Sequence, residues 1–98
     1  MAKMYSLRLS DLAGDDLDAI YSHGRSHWGE LQADTYYDGL IRHFDQLCAN
    51  PFLYSAVDDI RAGYRRSVYG AHSIYYRVHD EFIEVMAVIG KQDLSARL

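Results

Sequence analysis

DDIRAGYRRSVYGAHSIYYR, residues Asp58 to Arg77, is the stretch in which the hydrophobic period of the chain changes. Upstream of it apolar residues recur every three or four positions; from Tyr64 onward they recur every two, the spacing of a pleated strand. Three β-prone segments follow: Tyr64 to Tyr69, His72 to Val78 and Phe82 to Ile89. Gly70-Ala71 and His79-Asp80-Glu81 separate them, and turns this short force an antiparallel meander. Strict alternation in the third segment puts Ile83, Val85, Ala87 and Ile89 on one face and Phe82, Glu84, Met86 and Val88 on the other. Neither face is wholly polar, so helices are expected on one side and a partner over part of the other.

Working outward, Met4 to Leu9 alternates weakly and runs into Ser10, a residue suited to capping a helix N-terminus. Leu9, Leu12, Ala13, Leu17, Ile20 and Tyr21 then mark one apolar face of a first helix, and Asp11, Asp15 and Asp16 complement its positive end. Trp28-Gly29 ends it. A second helix carries Ala33, Tyr36, Tyr37, Leu40, Phe44, Leu47 and Cys48 and stops at Asn50-Pro51. Two amphipathic helices joined by so short a turn fold back as an antiparallel hairpin. In this reading Tyr36 and Tyr37 belong to the hairpin core and Trp28 packs at its turn. Phe52 to Gly63 reads as a connecting loop. The expected fold is therefore α+β: a short N-terminal strand, an antiparallel two-helix hairpin, then a three-stranded antiparallel meander forming one sheet, with residues 1–98 as a single domain.

Composition excludes several function classes. No run approaches the roughly 18 to 20 apolar residues of a membrane span, and MAKMYSLRLS is too short and polar for a signal peptide, so a cytoplasmic location without direct membrane contact is expected. The lone cysteine, Cys48, has no internal disulfide partner and is assigned to the core. His23 and His27 stand four apart on one helix, but no third ligand accompanies them, so no metal or other cofactor is expected.

Charge is polarised along the chain. The net charge of −4 argues against a general nucleic-acid coat. Met1 to Asp45 holds eight acids against four bases, whereas Ile60 to His79 holds four arginines and no acid. Most surface arginines are solvated charges in loose ion pairs, and His72 is more often a satisfied turn residue than a catalyst. Four arginines without an intervening acid favour a binding face all the same, since guanidinium groups fork onto carboxylates or phosphates. The candidate binding residues are Arg61, Arg65, Arg66, His72, Tyr75 and Arg77, with Lys91 in the tail. Alternation also means that Arg65 and Arg66 point to opposite faces of their strand, so only one of them shares a side with the partner.

Four local signatures occur in order: WGELQA (Trp28 to Ala33), ANP (Ala49 to Pro51), DDIRAGYRR (Asp58 to Arg66) and HSIYYR (His72 to Arg77). Together they resemble the ParE branch of the RelE/ParE toxins, over nearly the whole chain from Tyr5 to about Ile89. The resemblance implies the toxin of a bacterial type II toxin-antitoxin module, neutralised by a ParD-like antitoxin, with the DNA gyrase A subunit as target and replication block as the outcome. It implies no catalytic residues and no sequence-specific DNA binding by the toxin alone. An amphipathic antitoxin segment is expected along the hairpin and sheet, with acids near the arginines. One departure stands out: ParE-like chains commonly carry an arginine in the last strand and a histidine just after it, where this chain has Ala87 and Gly90.

Two alternatives follow. RelE-like relatives cut messenger RNA on the ribosome, a reaction that needs groups to activate the 2′-hydroxyl, stabilise the phosphorane and protonate the leaving oxygen. Arg65, Arg66, Arg77, His72 and Tyr64 are the residue types for it, but the last strand and tail supply no tyrosine or histidine and the patch no lysine before Lys91. The other alternative, motivated by Ala87 and Gly90, is a homologue that binds antitoxin and has lost toxicity.

Overall fold

The computed structural model describes residues 4–90. In chain order these form β1 (Ser6–Leu9), α1 (Asp11–Trp28), α2 (Glu30–Ala49), β2 (Ser55–Ala56), β3 (Arg65–Tyr69), β4 (His72–Val78) and β5 (Phe82–Gly90). The architecture is the expected α+β, a helical hairpin on one face of one sheet, with two differences of detail. The sheet has five strands in the order β1-β5-β4-β3-β2, because Ser55 and Ala56, read as loop, pair with Arg66 and Arg65. It is also mixed, since β1 joins β5 in parallel whereas the other pairs are antiparallel.

The helix ends follow from local chemistry. Ser10 caps α1, its hydroxyl accepting from the Ala13 N–H at 3.0 Å. The hairpin turns on one residue, Gly29, whose φ of +91° suits only glycine, and α2 ends at Asn50 before Pro51. Against the sheet the helices bury Ala13, Leu17, Leu40, Phe44, Leu47 and Cys48, which meet Ile74, Tyr76, Ile83, Val85 and Val88. Tyr76 reaches through this layer to donate to the Pro51 carbonyl at 2.6 Å.

The side-chain parity of β5 departs from strict alternation. Tyr75 pairs with Ala87 but Tyr76 with Val85, so Met86 is an extra residue, a β-bulge. Beyond it every side chain is reversed: Ile83, Val85 and Val88 face the helices, while Ala87 and Ile89 face away. Helix α1 holds the bulge in place. Ser10 donates its hydroxyl to the Met86 carbonyl at 2.9 Å, and the buried Asp16 accepts from the Val88 N–H at 3.0 Å. Asp16 thus serves the sheet rather than the helix dipole.

On the far face the loop between β2 and β3 folds over the sheet. Val57, Ile60 and Tyr64 pack on Tyr75, Ala87 and Ile89, with Met86 beside them. Asp58 closes this loop by accepting from the Gly63 N–H at 2.8 Å. The chain itself therefore covers part of the face that the sequence left for a partner.

Candidate protein-binding site

The strand pleat sorts the basic residues between two faces. On β3, Arg65 pairs with Tyr76 and points toward the helices, whereas Arg66 pairs with Tyr75 and points away from them. Arg65 is committed structurally: its Nη1 donates to the Tyr54 carbonyl at 2.7 Å and its guanidinium lies 5.0 Å from the Phe52 ring centroid. Arg66 and Arg77 lie on the outer face, Arg66 half-buried, Arg77 exposed and opposite Glu84. Glu84 bonds instead to His79 Nε2 at 3.2 Å, and among the described residues no carboxylate lies within ion-pair distance of Arg66 or Arg77. Arg61 is exposed on the covering loop, over the Tyr64 ring at 5.8 Å.

Besides Arg65, which serves the fold rather than a binding face, two of the sequence-derived contacts need correction. Tyr75 is 0% exposed, sealed under Val57, Ile60 and Tyr64, so it supports the outer face from beneath and does not present its ring to a partner. Its hydroxyl has no hydrogen-bond partner among the described residues. His72 lies on the helix side, with Nδ1 2.7 Å from the Tyr36 hydroxyl. The Ala71 N–H donates to the same oxygen at 3.2 Å, and that oxygen lies 3.1 Å from the Tyr69 carbonyl. A hydroxyl has one proton to give, so the set is fully satisfied when Nδ1 of His72 is protonated and Tyr36 donates to Tyr69. This knot holds the β3–β4 turn, where Gly70 has φ +55° and no room for a side chain beside Tyr36. Lys91 lies outside the described residues.

The structure also reveals a cleft of about 430 Å³ at the hairpin tip, lined by Trp28, Ala33, Tyr36, Tyr37, His72 and Gly90. Tyr36 and Tyr37 are wall residues as much as core, and Trp28, 65% exposed, does not pack at the turn. Across the hairpin the Tyr21 and Tyr37 rings meet edge to face, and the Tyr21 hydroxyl donates to Asp34 Oδ1. That bond to a carboxylate holds the Tyr21 proton and raises its pKa; burial raises that of Tyr36. The signal for the cleft was present in the aromatic cluster 28–37, but helical spacing alone does not tell a groove wall from a core stripe.

Chemically, the arrangement offers two distinct surfaces. The outer face presents guanidinium groups without carboxylate partners among the described residues; the cleft presents aromatic walls. His43, the other histidine set against the sheet, lies 2.6 Å through Nε2 from the hydroxyl of Ser67, a residue 2% exposed, and burial lowers its pKa. No helix among the described residues is long and apolar enough to cross a membrane.

Comparison with known proteins gives a consistent result. The profile of the ParE toxin of the type II toxin-antitoxin system, parDE, matches residues 7–94. The chain is 34% identical over 94 residues to Toxin ParE1 of Caulobacter vibrioides, covering 96% of each sequence. It is 38% identical over 82 residues to Toxin ParE1 of Mycobacterium tuberculosis, covering 83% of this chain and 84% of that protein. Among solved structures, the fold matches a chain of the chromosomal ParDE system from P. aeruginosa with TM-score 0.76 at 22% identity, over 89% of this chain and 96% of that one. A chain of the RelBE2 toxin-antitoxin complex of M. tuberculosis matches with TM-score 0.69 at 16% identity, over 90% and 99%.

Proposed function

The chain belongs to the ParE toxin family of type II toxin-antitoxin systems, and we propose that it acts by binding other proteins, held inactive by a ParD-like antitoxin and inhibiting DNA gyrase through its A subunit when free. The observation that carries this reading is the outer sheet face. Arg66 and Arg77 stand there without carboxylate partners among the described residues, in a chain whose net charge is −4. An acidic antitoxin segment supplies the missing charges, and apolar anchors on the same segment suit the aromatic cleft. A cytoplasmic site of action belongs to the same proposal.

A supercoiling and cleavage assay with purified gyrase tests the target. Inhibition relieved by the antitoxin is expected; undiminished supercoiling at excess toxin rules gyrase out. Ribosome-dependent mRNA cutting is the competing activity of the fold, and codon-linked cuts in a translation extract would replace the gyrase reading with it. The side chains argue for binding: the half-buried His72 is tied to Tyr36, and Arg65 is tied to Tyr54 and Phe52. One observation favours a second reading, a toxin with lost potency. Ala87, standing where the family pattern has arginine, is 2% exposed and packs with Tyr75 under the covering loop, so an arginine there requires a different cover. Growth arrest on expression without antitoxin excludes that second reading.

A further inference from the structure

Across the five strands stands a single acidic residue, Glu84. It lies on the outer face between two arginines. The parallel ladder registers it with Arg8 and the antiparallel ladder with Arg77, so Arg8, Glu84 and Arg77 form one row across β1, β5 and β4. Cβ atoms of residues directly opposed across an antiparallel pair are about 4.5 to 5.5 Å apart, and opposite charges so placed attract. Glu84 nevertheless lies within ion-pair distance of neither arginine; its Oε1 is 3.2 Å from His79 Nε2 instead.

The imidazole holds the carboxylate, and Phe82 holds the imidazole. The His79 and Phe82 rings stack with centroids 4.3 Å apart and planes 17° from parallel, and the His79 N–H donates to the Phe82 carbonyl at 2.8 Å. A carboxylate can only accept, so Nε2 carries the proton in the bond to Glu84. Arg8 is drawn to the same ring, its guanidinium 3.9 Å from the Phe82 centroid. Of the two arginines that flank Glu84, Arg77 is thus the one left facing solvent.

We propose that His79 is a positioning residue for the outer face: it holds Glu84 away from Arg77 and so keeps that guanidinium open to the acidic side chains of a protein partner. The inference rests on the outer face being the binding surface. An exposed ion pair adds little to stability, and both side chains of this one are 31% exposed, so its effect lies in where it places the charge. Without the Nε2 donor, Glu84 turns across the ladder to Arg77, and any acidic group that binds there must first displace it. His79 therefore sets affinity for an acidic partner through Glu84, with no contact of its own required.

The test uses the full-length chain and follows the Arg77 Nε–H by NMR, the signal being identified by its loss in Arg77→Lys. His79→Phe keeps an aromatic ring on Phe82 and removes the donor. It is expected to shift the Arg77 signal and slow its exchange with water as Glu84 bonds to it. Affinity for the antitoxin of the same module should fall about two- to fivefold, the range for an exposed pair that a partner must displace. The double variant His79→Phe/Glu84→Gln should return the signal to its parent position and the affinity at least to the parent level. Glu84→Gln alone, which removes no bond that the stack depends on, should leave the Arg77 signal in place. An Arg77 signal unmoved in His79→Phe overturns the proposal, as does a change that persists in the double variant. A shift in Glu84→Gln alone also overturns it, because the carboxylate then already rests on Arg77 in the parent. A signal that moves as expected with antitoxin affinity unchanged supports the hold on Glu84 and overturns instead the outer face as the binding surface.

Discussion

The two faces of the sheet are made from the same strands yet solve different problems. The helix face is closed by two long helices and finished with hydrogen bonds: Tyr76 to Pro51, Asp16 to Val88, Arg65 to Tyr54. The outer face is closed by a short loop, leaves the Tyr75 hydroxyl without a partner among the described residues, and surrounds its small cluster with Arg61, Arg66 and Arg77. Neighbouring residues divide accordingly, Arg65 and Tyr76 to the structural face, Arg66 and Tyr75 to the other. Identical residue types thus take opposite roles because the pleat turns them opposite ways.

The largest effect should come from the centre of the helix face. Phe44→Ala, at a residue 1% exposed among Leu40, Leu47 and Tyr76, is expected to lower stability by about 3 to 5 kcal/mol in urea unfolding. A loss under about 1 kcal/mol would mean that the helices are not the main cover of the sheet. Asp16→Ala comes next, at about 2 to 3 kcal/mol, since it strips a charge-assisted acceptor from the Val88 N–H beside the bulge. Faster amide exchange at Val88 in this variant would tie the loss to the bulge.

The sharpest contrast lies between adjacent tyrosines. Tyr76→Phe should destabilise by about 1 kcal/mol, because the Pro51 carbonyl loses its donor. Tyr75→Phe should be neutral or slightly stabilising, because its buried hydroxyl has no partner among the described residues to lose. Equal losses in the two variants would erase the distinction between the faces. A further contrast is in pH dependence. Burial pushes the Tyr76 hydroxyl up to about 12 from 10.0, so its contribution to stability is complete below pH 10 and disappears as pH rises toward 12. Burial lowers the pKa of His43 from 6.5, so its contribution is present above pH 6.5 and is lost as pH falls through the depressed value. Urea midpoints across pH should fall at both ends, and Tyr76→Phe should flatten the alkaline limb.

Much of this division was legible in the residues. Ser10, Gly29 and Asn50-Pro51 mark the helix ends because capping and φ restriction act within a few residues. The opposed directions of Arg65 and Arg66 follow from the pleat alone. Which of them faces the helices does not, since that depends on Phe52 and Tyr54 waiting on one side. The bulge at Met86 was hidden for a related reason. Met86 to Ile89 is apolar throughout, so either parity buries it, and the choice is made by Ser10 and Asp16, more than seventy positions away. The parity error also concealed the burial of Tyr75, which needs Ala87 and Ile89 on its own side. Strand β2 was too short to leave a periodic signal.

The division of labour is tested most directly by binding the antitoxin of this toxin's own module to the double variant Arg66→Glu/Arg77→Glu. Both positions are on the outer face and neither side chain makes a hydrogen bond or ion pair among the described residues, so the urea midpoint should match that of the parent chain. Affinity should fall by about a hundredfold, with a shallower dependence on salt, as two attractive contacts become repulsive. Parent-like affinity and salt dependence in the folded double variant would contradict the assignment of the outer sheet face as the binding surface.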